Sequence, residues 1–220
     1  MYPAEAGFVF RINMLLRINP DKPDSASIQK VADVLRSGGV IIYPTDTVYG
    51  IGCDITQPKA LEKLCRIKGI KLSEAKFSII CHDLSHLSDF TRPISTSVFR
   101  VLKKALPGPY TFILEANFNV PKIFQSRKKT VGIRVPKNPI VQEIVKALGN
   151  PIVSSSVHDT GDEMMDYYAD PDLIYENFKD KVDLVVNGGF GNLEASTVID
   201  ASDGNFTVIR EGLGEVTHLW

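Results

Sequence analysis

Gly39-Val40-Ile41-Ile42-Tyr43-Pro44-Thr45-Asp46-Thr47-Val48-Tyr49-Gly50 changes character at its midpoint. Its first half is a nearly continuous apolar run closed by proline, the pattern of a short strand buried on both faces. Its second half gathers two threonine hydroxyls, a carboxylate and a phenol where that strand ends. Side chains at such an exit can line a ligand pocket, or they can simply build a polar turn, and both readings fit these residues. Upstream, Ile28, Val31, Ala32 and Leu35 share one helical face after Ser25 and Ser27, and Ser37-Gly38-Gly39 stops that helix.

The alternation continues downstream. Leu61, Leu64 and Cys65 mark a helix over 58–67, followed by a strand at 77–81. A helix carrying Val98, Val101, Leu102 and Ala105 ends at Pro107-Gly108-Pro109, and strands are predicted at 110–114 and 130–135. Asn138 and Pro139 open another helix, with Val141, Ile144, Val145 and Leu148 inward and Gly149 as its stop. Four further strands are predicted at 151–155, 182–186, 197–200 and 206–210, with a short helix at 171–178. Strands alternate with helices early and cluster late, which argues for an α/β chain of α+β character built on a mixed sheet. The stretches 69–76 and 157–169 are polar and lack clear periodicity, the pattern of loops.

With 220 residues, 44% of them hydrophobic, the chain can bury one substantial core. The expected division is a possible N-terminal extension at 1–13 and a single domain over 14–220. The formal net charge of −1 excludes a polybasic nucleic-acid wrapper, so attraction for phosphate has to come from local clusters of cations. Cys53, Cys65 and Cys81 lack the paired short spacings of zinc sites, and a disulfide framework would leave one over. Free thiols point to a reducing, cytoplasmic setting. No apolar run approaches the ~20 residues that span a bilayer, so no membrane association is expected.

Several small constellations carry possible chemistry. Lys59, Lys63, Arg66, Lys68, Lys71 and Lys76 cross a helix end and the next loop, where cations suit phosphate oxygens and equally suit solvent. Lys68 stands out at the junction itself. Ser154-Ser155-Ser156 follows a buried strand, as an anion cradle or as turn caps. Arg134 lies among apolar strand residues, which is costly unless an acid or an anionic ligand pairs with it. Gly188-Gly189-Phe190-Gly191 lacks a following helix and reads as a tight turn rather than a phosphate loop. The histidines have no metal-ligand spacing, so no metal site is expected, and no Gly-x-Ser-x-Gly elbow supports a hydrolase.

In order along the chain, these pieces resemble the YrdC-like family of threonylcarbamoyl-AMP synthases, and within it most closely the YciO branch. The carriers of the resemblance run from Gly39 to Gly50, then Ile67-Lys68, Pro107-Gly108-Pro109-Tyr110-Thr111 and Gly132-Ile133-Arg134-Val135-Pro136. Ser154-Ser155-Ser156, Gly188-Gly189, Ser196-Thr197-Val198-Ile199-Asp200 and Arg210 complete them. The resemblance implies a twisted, mixed parallel and antiparallel sheet with flanking helices around a deep, positively charged cavity. It also implies a nucleotidyltransferase that joins L-threonine, bicarbonate and ATP into threonylcarbamoyl-AMP for modification of tRNA, with Mg2+ accompanying ATP. Binding of tRNA or double-stranded RNA is a further implied trait.

By motif position the resemblance makes Lys68 and Ser156 catalytic. Thr45, Thr47, Tyr49, His82, Thr111, Arg134, Ser154, Thr197 and Arg210 would bind substrate or nucleotide. Two positions depart from the pattern. The synthases usually carry Lys-x-Arg and, later, Ser-x-Asn, whereas this chain has Lys68-Gly69-Ile70 and Ser156-Val157-His158. Losing that arginine removes a permanent cation and a bidentate donor, unless Arg66, Lys71 or Lys76 substitutes. A weakly active synthase is therefore expected, and the alternative is a double-stranded RNA or nucleotide binder without turnover.

Overall fold

The computed structural model describes residues 14–72, 75–120, 129–158 and 167–220. The proposed extension at 1–13 and parts of the two polar stretches, 73–74 and 159–166, lie outside the described residues. Ten strands form one mixed sheet among these residues: β1 (Met14–Arg17), β2 (Val40–Tyr43), β3 (Gly50–Asp54), β4 (Ser78–Ile80), β5 (Tyr110–Glu115), β6 (Thr130–Arg134), β7 (Ile152–Ser156), β8 (Leu184–Asn187), β9 (Thr197–Asp200) and β10 (Thr207–Arg210). Their spatial order is β1-β8-β2-β3-β7-β4-β6-β5-β9-β10. Both parallel pairs, such as β2 with β8, and antiparallel pairs, such as β3 with β7, occur within it.

Six helices flank the sheet: α1 (Ser25–Arg36), α2 (Pro58–Ile67), α3 (Leu87–Phe90), α4 (Thr96–Ala105), α5 (Pro139–Leu148) and α6 (Pro171–Phe178). Local sequence explains their ends. Asn138 Oδ1 accepts from the amides of Ile140 and Val141 at the start of α5, and Gly149 closes it at φ 79° in the left-handed region. Ser95 Oγ caps α4 in the same way.

The two faces of the sheet differ, because strand side chains alternate with period two. One face carries Val40, Ile42, Ile51, Cys53, Val153, Ile79, Ile133 and Phe112 into the larger core, together with α2, α4 and α6. The other carries Ile41, Tyr43, Ile80 and Ile152 against α1 and α5 in a second core. Beyond those helices the second face turns polar and small, and the strand registers align Gly52, Ser154, Ser78 and Gly132 across it.

Sequence periodicity missed β1 and β3. The two glycines of Gly50-Ile51-Gly52-Cys53-Asp54 mask a strand signal, yet a Cβ at Gly52 would lie 2.3 Å from the Val153 carbonyl oxygen. The glycine there permits close approach of β7. Loop 44–49 is therefore the connection of an antiparallel hairpin between β2 and β3.

Candidate functional site

Register brings the polar residues together. Arg134 stands opposite Ile80, Gly132 opposite both Ser78 and Ile113, and Thr111 opposite Val198. Ser154 and Ser156, two residues apart on β7, share this face with them. Arg210 joins because β10 contains a bulge: Val208 pairs with Ile199, but Arg210 pairs with Val198. The extra residue, Ile209, shifts the alternation by one and turns Arg210 to the side of Arg134.

Arg134 is the centre of this floor. Its side chain and that of Asp46 are each 10% exposed, and its Nη2 donates to Asp46 Oδ1 at 3.1 Å and to Thr47 Oγ1 at 3.0 Å. Asp46 Oδ2 accepts from the Lys137 amide at 2.9 Å. The expectation of an acid or an anionic ligand beside Arg134 is met by an acid of the chain itself. Even so, Arg134 Nε is buried without a hydrogen-bond partner, a deficit of about 1–3 kcal/mol. Burial lowers the pKa of the guanidinium, Asp46 opposes that, and Arg210 close by adds repulsion between like charges. It nevertheless remains charged, since arginine titrates far above neutrality.

Hydroxyls line the rest. Tyr43 donates to Ser154 Oγ at 2.6 Å, and burial raises its pKa, which keeps it a donor. Thr111 Oγ1 and Ser196 Oγ are 2.8 Å apart, while Arg210 donates from Nε and Nη2 to the Ser196 carbonyl at 3.2 and 2.7 Å. At the far end Lys68, which caps α2, reaches from the opposite side of the sheet. Its Nζ lies 3.0 Å from the Ser156 carbonyl oxygen and 2.9 Å from His158 Nδ1. Burial depresses its pKa to about 8. Ile152, which shares the Arg134 row through Ile80, is four residues from Ser156 along β7. The backbone rows of Arg134 and Ser156 are thus roughly 13 Å apart along the strands, while the Arg134 guanidinium reaches loop 44–49, whose Tyr49 carbonyl accepts from the Val157 amide beside Ser156.

The corner loop has two duties. Thr45 Oγ1 accepts from the Thr47 amide and donates to the Val48 carbonyl, which builds the turn. Thr47, fully buried, supports Arg134. Thr45 and Thr47 therefore shape the site from behind in this conformation.

Two of the expected site residues face the core side in this structure. Tyr49 packs with Ile51 in the larger core, donates to the Gly189 carbonyl at 2.6 Å and accepts from the Gly188 amide at 3.2 Å. It props the tight turn at Gly188 and Gly189 instead of facing a ligand, and burial raises its pKa to about 12. Thr197 pairs with Tyr110 on the core face, is fully buried, and spends its hydroxyl on Gly214 O and Gly212 N. Its neighbour Ser196 lies on the face of Thr111 and Arg210 instead, because adjacent strand residues point to opposite faces.

His82 follows β4 two residues after Ile80, and its Nδ1 is 2.9 Å from Asp83 Oδ2. Of the two departures, Ile70 is partly buried against the larger core, while His158 contacts Lys68. Arg66, Lys71 and Lys76 are exposed. A cavity of about 1180 Å3 opens elsewhere, beside Leu87, Ile94, Phe99 and Phe118, and includes none of the expected site residues. Sequence reasoning counted Asp46 only among the polar groups of the corner loop, and gave no separate role to Ser196 or to Asn192, whose side chain donates to the Asp46 carbonyl at 3.0 Å. The parity of Thr197 with apolar Ile199 was a usable signal for Ser196, weakened because Val198 is apolar as well.

Comparison with known proteins agrees with this architecture. The model of the Sua5, YciO and YrdC family, described as telomere recombination, matches residues 33–212. The uncharacterised protein YciO of Escherichia coli (strain K12) is 40% identical over 200 residues, covering 90% of this chain and 95% of that protein. A threonylcarbamoyl-AMP synthase of Nitrosococcus oceani is 34% identical over 134 residues, 61% of this chain and 72% of the synthase. The crystal structure of E. coli YciO superposes with a TM-score of 0.86 at 38% identity, covering 93% of this chain and 98% of that one. P. abyssi Sua5 complexed with L-threonine shares the fold at a TM-score of 0.82 and 23% identity, over 90% of this chain and 57% of that one. A twisted mixed sheet whose registers gather these motif residues, with family-wide agreement across four-fifths of the sequence, makes this chain a member of the Sua5, YciO and YrdC family.

Proposed function

We propose that this protein forms threonylcarbamoyl-AMP from L-threonine, bicarbonate and ATP for tRNA modification, at a reduced rate. The observation that carries this reading is the gathering of three cations, Arg134, Arg210 and Lys68, about one face of hydroxyls and glycines. Such a floor suits a substrate with two anionic parts, an amino-acid carboxylate and a nucleotide phosphate. The synthase from Nitrosococcus oceani and the threonine-bound Sua5 support that choice.

In this reaction the threonine nitrogen bonds to the bicarbonate carbon with loss of water. The resulting carbamate oxygen attacks the α-phosphorus, and the bond to pyrophosphate breaks. The chain contributes positioning and charge stabilisation. Arg134 and Arg210 hold an anionic group of substrate, Ser154 and Ser156 supply hydroxyls, and Lys68 neutralises charge that develops on the phosphate. Thr111 supports the arginine end through Ser196, and His82 lies beyond it. Thr45, Thr47 and Tyr49 hold the loop. Among the described residues no three His, Cys, Asp or Glu side chains are grouped to hold a metal ion. In this reading Mg2+ enters with ATP as part of the substrate.

The test is purified protein with ATP, threonine and bicarbonate, with pyrophosphate and threonylcarbamoyl-AMP quantified beside Lys68→Ala. The expected result is formation of both products that falls at least about tenfold in the variant. A wild-type rate no higher than that of Lys68→Ala rejects the enzyme. A second reading, nucleotide or RNA binding without turnover, is favoured by one observation: the position after Lys68-Gly69 holds Ile70, packed on the core, in place of a cation. It predicts salt-sensitive RNA binding with no pyrophosphate release.

A further inference from the structure

We infer that Asp46 determines which anion the arginine end of the floor accepts, by cancelling one of its two guanidinium charges so that a singly charged carboxylate is preferred to a doubly charged phosphate. The inference rests on the reading of Arg134 and Arg210 as the anion-holding end. It goes further in assigning a specificity role to a residue that touches Arg134 and no ligand.

The argument is one of charge and unfilled valence. Both protons of Arg134 Nη2 are committed, one toward the Asp46 carboxylate and one toward the Thr47 hydroxyl. The pair is buried, so solvent screens it little. Arg210, by contrast, donates to a neutral carbonyl, and among the described residues no acid forms an ion pair with it. Two guanidiniums and one carboxylate leave a single net positive charge. Arg134 Nε still carries an N–H without an acceptor inside the protein. A carboxylate drawn to this end balances that one charge. A phosphate dianion brings a second negative charge, which would lie near the Asp46 carboxylate with no cation to balance it. Asp46 is also fixed in place: its other oxygen accepts from the Lys137 amide, and Asn192 holds its backbone carbonyl. Its carboxylate cannot swing away to admit the dianion without breaking two hydrogen bonds.

The experiment follows the Arg134 Nε–H signal by NMR in protein labelled with 15N-arginine, assigned by comparison with Arg134→Lys. Acetate and inorganic phosphate are titrated separately at about pH 8, where phosphate is mainly a dianion. In the wild type acetate should move the signal at lower concentration than phosphate. Asp46→Asn should reverse that order, changing the affinity ratio at least about tenfold. Asp46→Asn/Arg210→Gln, which restores one net positive charge, should restore the preference for acetate, a rescue that a merely structural role would not produce.

Tighter phosphate binding in the wild type overturns the inference, as does an unchanged ratio in folded Asp46→Asn or a signal that neither anion moves. If Asp46→Asn does not fold, the order of the two anions in the wild type decides. These readouts involve no turnover. A protein that shows the charge-dependent preference but makes no threonylcarbamoyl-AMP rejects the synthase reading and leaves the role of Asp46 standing.

Discussion

Lys68 Nζ lies beside the Ser156 carbonyl and the His158 ring, and burial brings its pKa down to about 8 from the ordinary lysine value near 10.5. Two consequences follow with definite sign. The folded protein releases this proton at lower pH than the unfolded chain does. Between about pH 8 and 10.5 the unfolded state binds more protons, so the contribution of Lys68 to stability rises with pH in that window. In the proposed reaction Lys68 acts as a cation, so product formation should fall as pH rises through about 8. Lys68→Arg, which stays charged, should keep any remaining activity flat to about pH 10. Matching pH profiles for wild type and Lys68→Arg would show that Lys68 does not titrate in the site. At this scale the sequence marked Lys68 by its place at a helix end and Arg134 by its cost among apolar neighbours. The neighbours of Lys68 were beyond it, since Ser156 and His158 are 88 and 90 residues away in the chain.

At the level of elements, alternation along β9 assigns Ser196 and Thr197 to different faces, and a one-residue bulge in β10 brings Arg210 to the face of Ser196. Thr197→Val removes the partner of Gly214 O and Gly212 N. It should lower stability by about 1–3 kcal/mol and leave anion affinity unchanged. Ser196→Ala removes the hydroxyl beside Thr111 and near Arg210. It should weaken acetate binding by roughly threefold to tenfold with a smaller loss of stability. Urea denaturation and the arginine NMR titration, run on both variants, check the split; equal loss of affinity in the two would return Thr197 to the site. Most helices and strands were legible from periodicity and from Asn138, Gly149 and Ser37 at helix ends, because those signals act within a few residues. The bulge was not, since nothing in Thr207-Val208-Ile209-Arg210 states which residue is left unpaired.

At the scale of the molecule, the sheet separates two cores, with Leu35 fully buried on the side of α1 and α5 and Leu102 fully buried on the other. Each Leu→Ala substitution should cost about 2–5 kcal/mol, and the double variant should lose close to the sum, as the two sites share no partner across the sheet. If residues 14–220 unfold as one domain, fluorescence and circular dichroism should give coincident urea transitions in the wild type and in both single variants. Separated transitions would divide the chain into two units. No helix among the described residues is long and apolar enough to cross a membrane. By itself the sequence determined the alternation of elements, the caps, the buried strand before Pro44 and the set of motif residues, all consequences of local periodicity and backbone chemistry. Only the tertiary structure decided that the polar corner from Thr45 to Tyr49 braces Arg134 and the Gly188 turn, that Ser196 and not Thr197 shares the face of Arg210, and that Asp46 is the partner of Arg134. Those outcomes depend on register and on contacts between residues 80 to 150 positions apart, and alternation within one strand does not specify which face of its neighbour it will meet.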